Sequence, residues 1–138
     1  MAYGVLVKGA EAERLNRIHE TEGAAIAERI LRSFDCDPVL IKTIRTIVSR
    51  HDSGKAAPTL EEALVKDADK LWRFSQTGFW KETERQRLKP ATLLNFLAAR
   101  CSSWFFSPTA LILAEEELSG RSDEIRSLAS GADSDTQS

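Results

Sequence analysis

Helix-start signals recur along this chain, and no strand signal of comparable strength competes with them. Asp37-Pro38 and Ser107-Pro108 each pair a capping side chain with a proline suited to a first helical turn, where its missing N–H would be unpaired anyway. Thr59-Leu60-Glu61-Glu62 has the form of a capping box. Between these signals apolar residues fall mostly three and four apart, the period of a helix with one buried stripe. Residues 10–34 carry Leu15, Ile18, Ala25, Ile26, Ile30 and Leu31 in that register, and Gly23 leaves open one helix or two joined near residues 19–22. Val39, Leu40, Ile44, Ile47 and Val48 follow Pro38. Most are β-branched, yet their spacing and a run of about 12 residues favour a helix over a strand. Residues 52–58 read as a loop, marked by Asp-Ser-Gly and Pro58. Leu60, Leu64, Ala68, Leu71 and Phe74 predict a helix in a region that Gly78 closes, with a short helix over residues 79–87 and a break at Pro90. Residues 92–105 are apolar on most faces, as expected of a core helix, and the last helix carries Leu111, Ile112, Leu118, Ile125 and Leu128. The predicted fold is all-α, a helical bundle of about five to six helices.

A chain of 138 residues suits one domain, and about two-thirds of its unfolded surface would be buried on folding. Residues 1–129 are read as that single helical domain and residues 130–138, rich in Ser, Asp and Gly, as a disordered tail. Lys and Arg number 19 against 21 Asp and Glu, a formal charge of −2, so no basic field exists to hold a nucleic-acid duplex. No run approaches the roughly 18 apolar residues that cross a membrane. Residues 1–9 are too short and too weakly apolar for a secretory leader, so a cytoplasmic location is expected. Cys36 and Cys101 stand 65 positions apart, which excludes a disulfide scaffold or Cys-ligated zinc and predicts two buried thiols.

The residues able to do chemistry are few. His19 sits in Arg17-Ile18-His19-Glu20, and His51 in Ser49-Arg50-His51-Asp52, where a helix gives way to a loop. Lys66-Asp67-Ala68-Asp69-Lys70 lies inside the capped helix. On helical geometry Asp69 falls near the face marked by Val65, Leu71 and Trp72, while Asp67 points about 200° away. A carboxylate near an apolar face is costly unless it is paired or binds a metal. Imidazole nitrogen and carboxylate oxygen together suit a divalent cation such as Mn, Fe, Ni, Zn or Mg, which can polarise a phosphate oxygen and lower the pKa of a bound water. Spacing alone favours satisfied polar core residues or surface charges over a metal site. Arg50, Lys55, Lys66, Lys70 and Arg73 are either a cationic rim for phosphate or a solvated helix face. Trp72, Phe74, Phe79, Trp80, Trp104, Phe105 and Phe106 are either a stacking surface for a base or core. Ser53-Gly54-Lys55 lacks the frame of a P-loop.

Three segments together resemble the HD superfamily of metal-dependent phosphohydrolases: His19-Glu20-Thr21-Glu22-Gly23-Ala24-Ala25 with Ala27, Ile30 and Leu31; Ile47-Val48-Ser49-Arg50-His51-Asp52; and Leu64-Val65-Lys66-Asp67-Ala68-Asp69-Lys70-Leu71. Asp-Ala-Asp-Lys-Leu is the most specific part. The likeness covers residues 18–79, and Trp72-Arg73-Phe74 and Trp104-Phe105-Phe106 look like the C-terminal helices of one subgroup. The resemblance implies an HD-type domain that hydrolyses a phosphate ester or nucleotide with one metal ion, Asp69 being a ligand and Lys70 stabilising charge on the phosphoryl group. Two readings of the other ligands stay open. In one, His19, His51, Asp52 and Asp69 form a complete compact set. In the other, His19 and His51 are later histidines of the family pattern. The first His and the His-Asp doublet would then precede Met1, and the site would be incomplete or rebuilt from another chain. Such a shortened domain would expose an apolar face, which implies a homodimer. The rivals are a non-catalytic HD-like helical module acting by self-association or partner binding, and a binder of phosphorylated small molecules or nucleotides without turnover.

Overall fold

The computed structural model describes residues 9–53 and 56–134, and the chain divides into two compact units, Met1–Lys66 and Asp67–Ser138. Six helices follow in order: Ala10–Ser33 (α1), Pro38–Val48 (α2), Leu60–Phe74 (α3), Gln76–Gln86 (α4), Pro90–Trp104 (α5) and Pro108–Ser134 (α6). No strand occurs among the described residues, so the fold is all-α.

In the first unit α1 is one continuous helix packed on α2. Gly23 does not break it; a Cβ there would lie 3.4 Å from Val48 Cγ1, an ordinary contact. Asp37 caps α2 as its sequence predicts, its Oδ1 accepting from the N–H groups of Val39 at 2.7 Å and Leu40 at 3.4 Å. Ala24 and Ile41 are buried in this unit, together with the charged Glu20, Glu62 and Lys66. The capping box of α3 is only half formed. Thr59 Oγ1 accepts from Glu62 N–H at 3.2 Å, but the Glu62 carboxylate turns to Arg50 and its Oε2 has no hydrogen-bond partner.

In the second unit Phe74, Phe79, Leu93 and Leu97 are the largest fully buried side chains, with Cys101, Ala110 and Ala114 beside them in the core. The Phe74 ring meets Phe105 edge-on at 5.4 Å. The expected stop at Gly78 is corrected: Ser75 caps a new helix there, its Oγ accepting from Gly78 N–H at 3.1 Å, and Gly78 lies buried within α4. A Cβ on Gly78 would stand 1.8 Å from Trp72 O, so this glycine marks a close backbone approach rather than a helix end. Pro90 opens α5 instead of merely interrupting the chain, and Pro108 opens α6 as its sequence predicts, with Ser107 Oγ accepting from Ala110 N–H at 3.1 Å. α6 continues to Ser134, into the stretch read as a tail, since adding a residue to a formed helix costs far less than nucleating one. Residues 135–138 lie outside the described residues, as do residues 1–8 and the pair Gly54 and Lys55. Cys101 is buried and Cys36 half-buried, both free; burial pushes the Cys101 thiol above its ordinary pKa, and Glu115 adds to this.

The face assignment of α3 is also corrected. Leu64, Val65 and Trp72 are 54%, 39% and 49% exposed, whereas Glu62, Lys66, Asp67 and Phe74 are buried. Asp67, not Asp69, is the deeply buried carboxylate. It accepts from the N–H groups of Phe106 at 2.8 Å and Ser107 at 2.9 Å and so fixes the turn into α6. Charges satisfied by backbone partners can be buried, and counting apolar residues alone misjudges such a helix.

Candidate metal centre

α2 ends at Val48, and the chain turns through residues 49–53 to bring His51 and Asp52 beside His19 of α1. His51 Nδ1 lies 2.7 Å from Val48 O, one of the carbonyls left without an intrahelical partner at the helix end. A carbonyl only accepts, so Nδ1 carries the proton and Nε2 presents a lone pair, the arrangement in which a histidine serves as a metal ligand. The two imidazoles meet edge-on, with centroids 5.1 Å apart. His51 Nε2 and Asp52 Oδ2 are 3.7 Å apart, beyond a hydrogen bond. One donor atom from each of His19, His51 and Asp52 lies within 4.8 Å of the others, and all three residues are half-buried. Donors each about 2.1 Å from a common ion stand about 3–4 Å apart, so a spread of up to 4.8 Å leaves this set slightly open, and the side chains would have to draw in to hold a small divalent cation.

The loop carrying His51 and Asp52 is held by buried charges. Glu20 Oε1 accepts from Asp52 N–H at 2.8 Å and from Ser53 N–H at 2.6 Å. Lys66 Nζ donates to Ser53 O at 3.1 Å and to Ala56 O at 2.9 Å. Arg50 pairs with Glu62. Hydrogen bonds to charged groups contribute roughly 1.5–3 kcal/mol each, and a carboxylate taking two amides fixes the turn geometry as well. Glu20 went unnoticed in the sequence although it adjoins His19; its signal is its place four residues before buried Ala24, on the stripe of α1 that faces inward.

Asp69 and Lys70 lie on α3 in the second unit, where Asp69 is half-buried. Lys70 Nζ donates to Trp104 O at 2.7 Å and stands 5.3 Å from the Phe106 ring. Arg73 stacks over Trp104 at 5.7 Å. Of the expected cationic rim, Arg50 and Lys66 are thus structural anchors, and Lys55 lies outside the described residues. Of the aromatic set, Phe74 and Phe79 are core and Trp72 and Phe106 are exposed.

Among the cavities lined by described residues, two carry notable side chains. One of about 420 Å³ opens at the turn that carries Asp52 and is lined by Glu13, Asn16, Arg17, Asp52 and Ser53. The other, about 610 Å³, belongs to the second unit, where Trp80 Nε1–H donates to Glu124 Oε2 at 2.7 Å. Burial pushes the Glu124 carboxyl up, but hydrogen bonds from Trp80, Arg121 and Gln76 outweigh it and hold the group below its ordinary pKa. No described helix is long and apolar enough to cross a membrane. No protein-family model matches the chain, and no match was found among curated proteins or solved structures.

Proposed function

We propose that this chain is a metal-dependent phosphohydrolase of the HD type, in which His19, His51 and Asp52 hold one divalent cation. The observation that carries the reading is the convergence of their three donor atoms within 4.8 Å on a turn that Glu20 and Lys66 clamp. The bound ion would polarise a phosphoryl oxygen and lower the pKa of water. Two imidazoles and one carboxylate favour Mn, Fe, Ni or Zn over Mg, which prefers all-oxygen surroundings. The residues' own work is positional. Val48 O sets the tautomer of His51, Glu20 aims Asp52, and the half-buried site limits the water that competes with substrate. Hydrolysis forms a bond from the water oxygen to phosphorus, breaks the bond from phosphorus to the alcohol oxygen, and returns a proton to the departing alkoxide. Elemental analysis of the purified protein tests the reading. About one transition-metal ion per chain is expected in the parent and much less in His51→Ala. A parent without metal after incubation with Mn²⁺ and Ni²⁺ overturns it.

A second reading is a non-catalytic helical module that self-associates. It is favoured by Phe34 and Val39, 77% and 73% exposed where α1 gives way to α2, with Ile26, Ile30 and Leu40 about half exposed on the same two helices.

A further inference from the structure

Resting on that hydrolase reading, we propose that the cavity beside Asp52 is the substrate pocket, that it takes a small phosphorylated sugar or polyol, and that Arg17 is the side chain that recognises the phosphate. At about 420 Å³ the cavity falls in the range of small-molecule sites, roughly 300–1,000 Å³, and is far too small for a polymer. It shares Asp52 with the proposed metal centre, so a ligand filling it touches one member of the donor set. Its walls are chemically specific. Among the described lining residues, Glu13, Asn16, Arg17, Asp52 and Ser53, there is no aromatic or aliphatic side chain to sandwich a nucleobase. Glu13, Asn16 and Ser53 instead offer hydrogen-bond donors and acceptors of the kind that hydroxyl groups satisfy.

Among the described lining residues Arg17 is the cation. The amides of Asp52 and Ser53, free to cradle an anion in another setting, are already taken by Glu20, so charge recognition falls to the guanidinium. Its partner Glu13 is 3.9 Å away, both side chains being 74% exposed, a contact too long and too wet to hold it. A phosphate dianion that accepts two parallel N–H bonds displaces such a partner and frees Glu13 for a substrate hydroxyl. Asn16 and Arg17 each stand three residues before His19 and Glu20 on α1, so one rigid helix carries the phosphate contact, a metal ligand and the turn anchor.

Calorimetric binding of ribose 5-phosphate, glycerol 3-phosphate and adenosine 5′-monophosphate to the parent, Arg17→Ala and Arg17→Lys, with metal content measured on each, tests the proposal. Loss of Arg17 is expected to weaken ribose 5-phosphate about tenfold to a hundredfold at unchanged metal content, with partial recovery in the lysine variant. Equal affinity in parent and Arg17→Ala overturns the phosphate assignment, and tighter binding of the nucleotide than of the sugar phosphate overturns the ligand class. Binding through Arg17 in a protein that holds no metal sustains the pocket and sinks the hydrolase. A metal-loaded protein indifferent to Arg17 does the reverse.

Discussion

Gly78 and Gly23 both read in the sequence as points where a helix can break, both lie within helices, and their surroundings set them apart. A Cβ on Gly78 would lie 1.8 Å from a backbone oxygen of Trp72, which no rotamer change relieves, so Gly78→Ala is expected to lower stability by at least about 2–3 kcal/mol in urea unfolding. Gly23→Ala meets only Val48 Cγ1 at contact distance and gains helix propensity, so it is expected to raise stability by about 0.5–1 kcal/mol. Glu20→Ala strands the amides of Asp52 and Ser53, at an expected cost of about 2–3 kcal/mol, and should weaken metal binding as well. Glu124 makes a pH prediction. Its carboxyl is held below the ordinary value, so the folded protein binds fewer protons than the unfolded chain. Its contribution is therefore complete above the unfolded pKa of about 4.3 and is lost as pH falls through the lower folded value. Urea midpoints followed by Trp fluorescence should drop below about pH 4, and less so in Glu124→Gln.

At the scale of the element, α3 is the instructive helix. Its polar residues point inward and several of its apolar ones outward, because Glu62, Lys66 and Asp67 each find an ionic or backbone partner that makes burial tolerable. Leu64→Ser is thus expected to change the free energy of urea unfolding by no more than about 0.5 kcal/mol. Lys66→Met, which keeps the stem and removes the donor, should cost about 2–3 kcal/mol and speed proteolysis between α2 and α3. Helix starts were legible in the sequence because a cap and a proline act locally, as at Asp37-Pro38 and Ser107-Pro108. The start at Ser75 was not, since Gly78 carries the same letter whether it stops a helix or admits a neighbouring backbone. The His51-Asp52 doublet marked the turn at which the structure gathers donor atoms with His19. Glu20, Lys66 and Asp67 did not announce themselves, because whether a charge is buried depends on amides and carbonyls remote in sequence.

For the molecule as a whole, the unequal cores of the two units matter most. The second unit buries Phe74, Phe79, Leu93 and Leu97; the buried hydrophobic residues described in the first are Ala24 and Ile41. Units below about 70–80 residues with so little core generally need a further source of stability, a structural metal or an association among them. Both sources are proposed for Met1–Lys66, and they leave different thermodynamic traces. An ion bound by His19, His51 and Asp52 stabilises the folded state by mass action, about 2.7 kcal/mol at a free concentration one hundred times its Kd. The melting temperature should then rise by several degrees with Mn²⁺ or Ni²⁺ and return with a chelator, at any protein concentration. Self-association through Phe34 and Val39 would instead make the melting temperature climb with protein concentration, and Phe34→Asp would abolish that dependence without touching the response to metal. Thermal melts of the parent, Phe34→Asp and His51→Ala across a hundredfold range of concentration, with and without ion, assign the stability of this unit to its metal centre if only His51→Ala flattens the ion response and no variant depends on concentration.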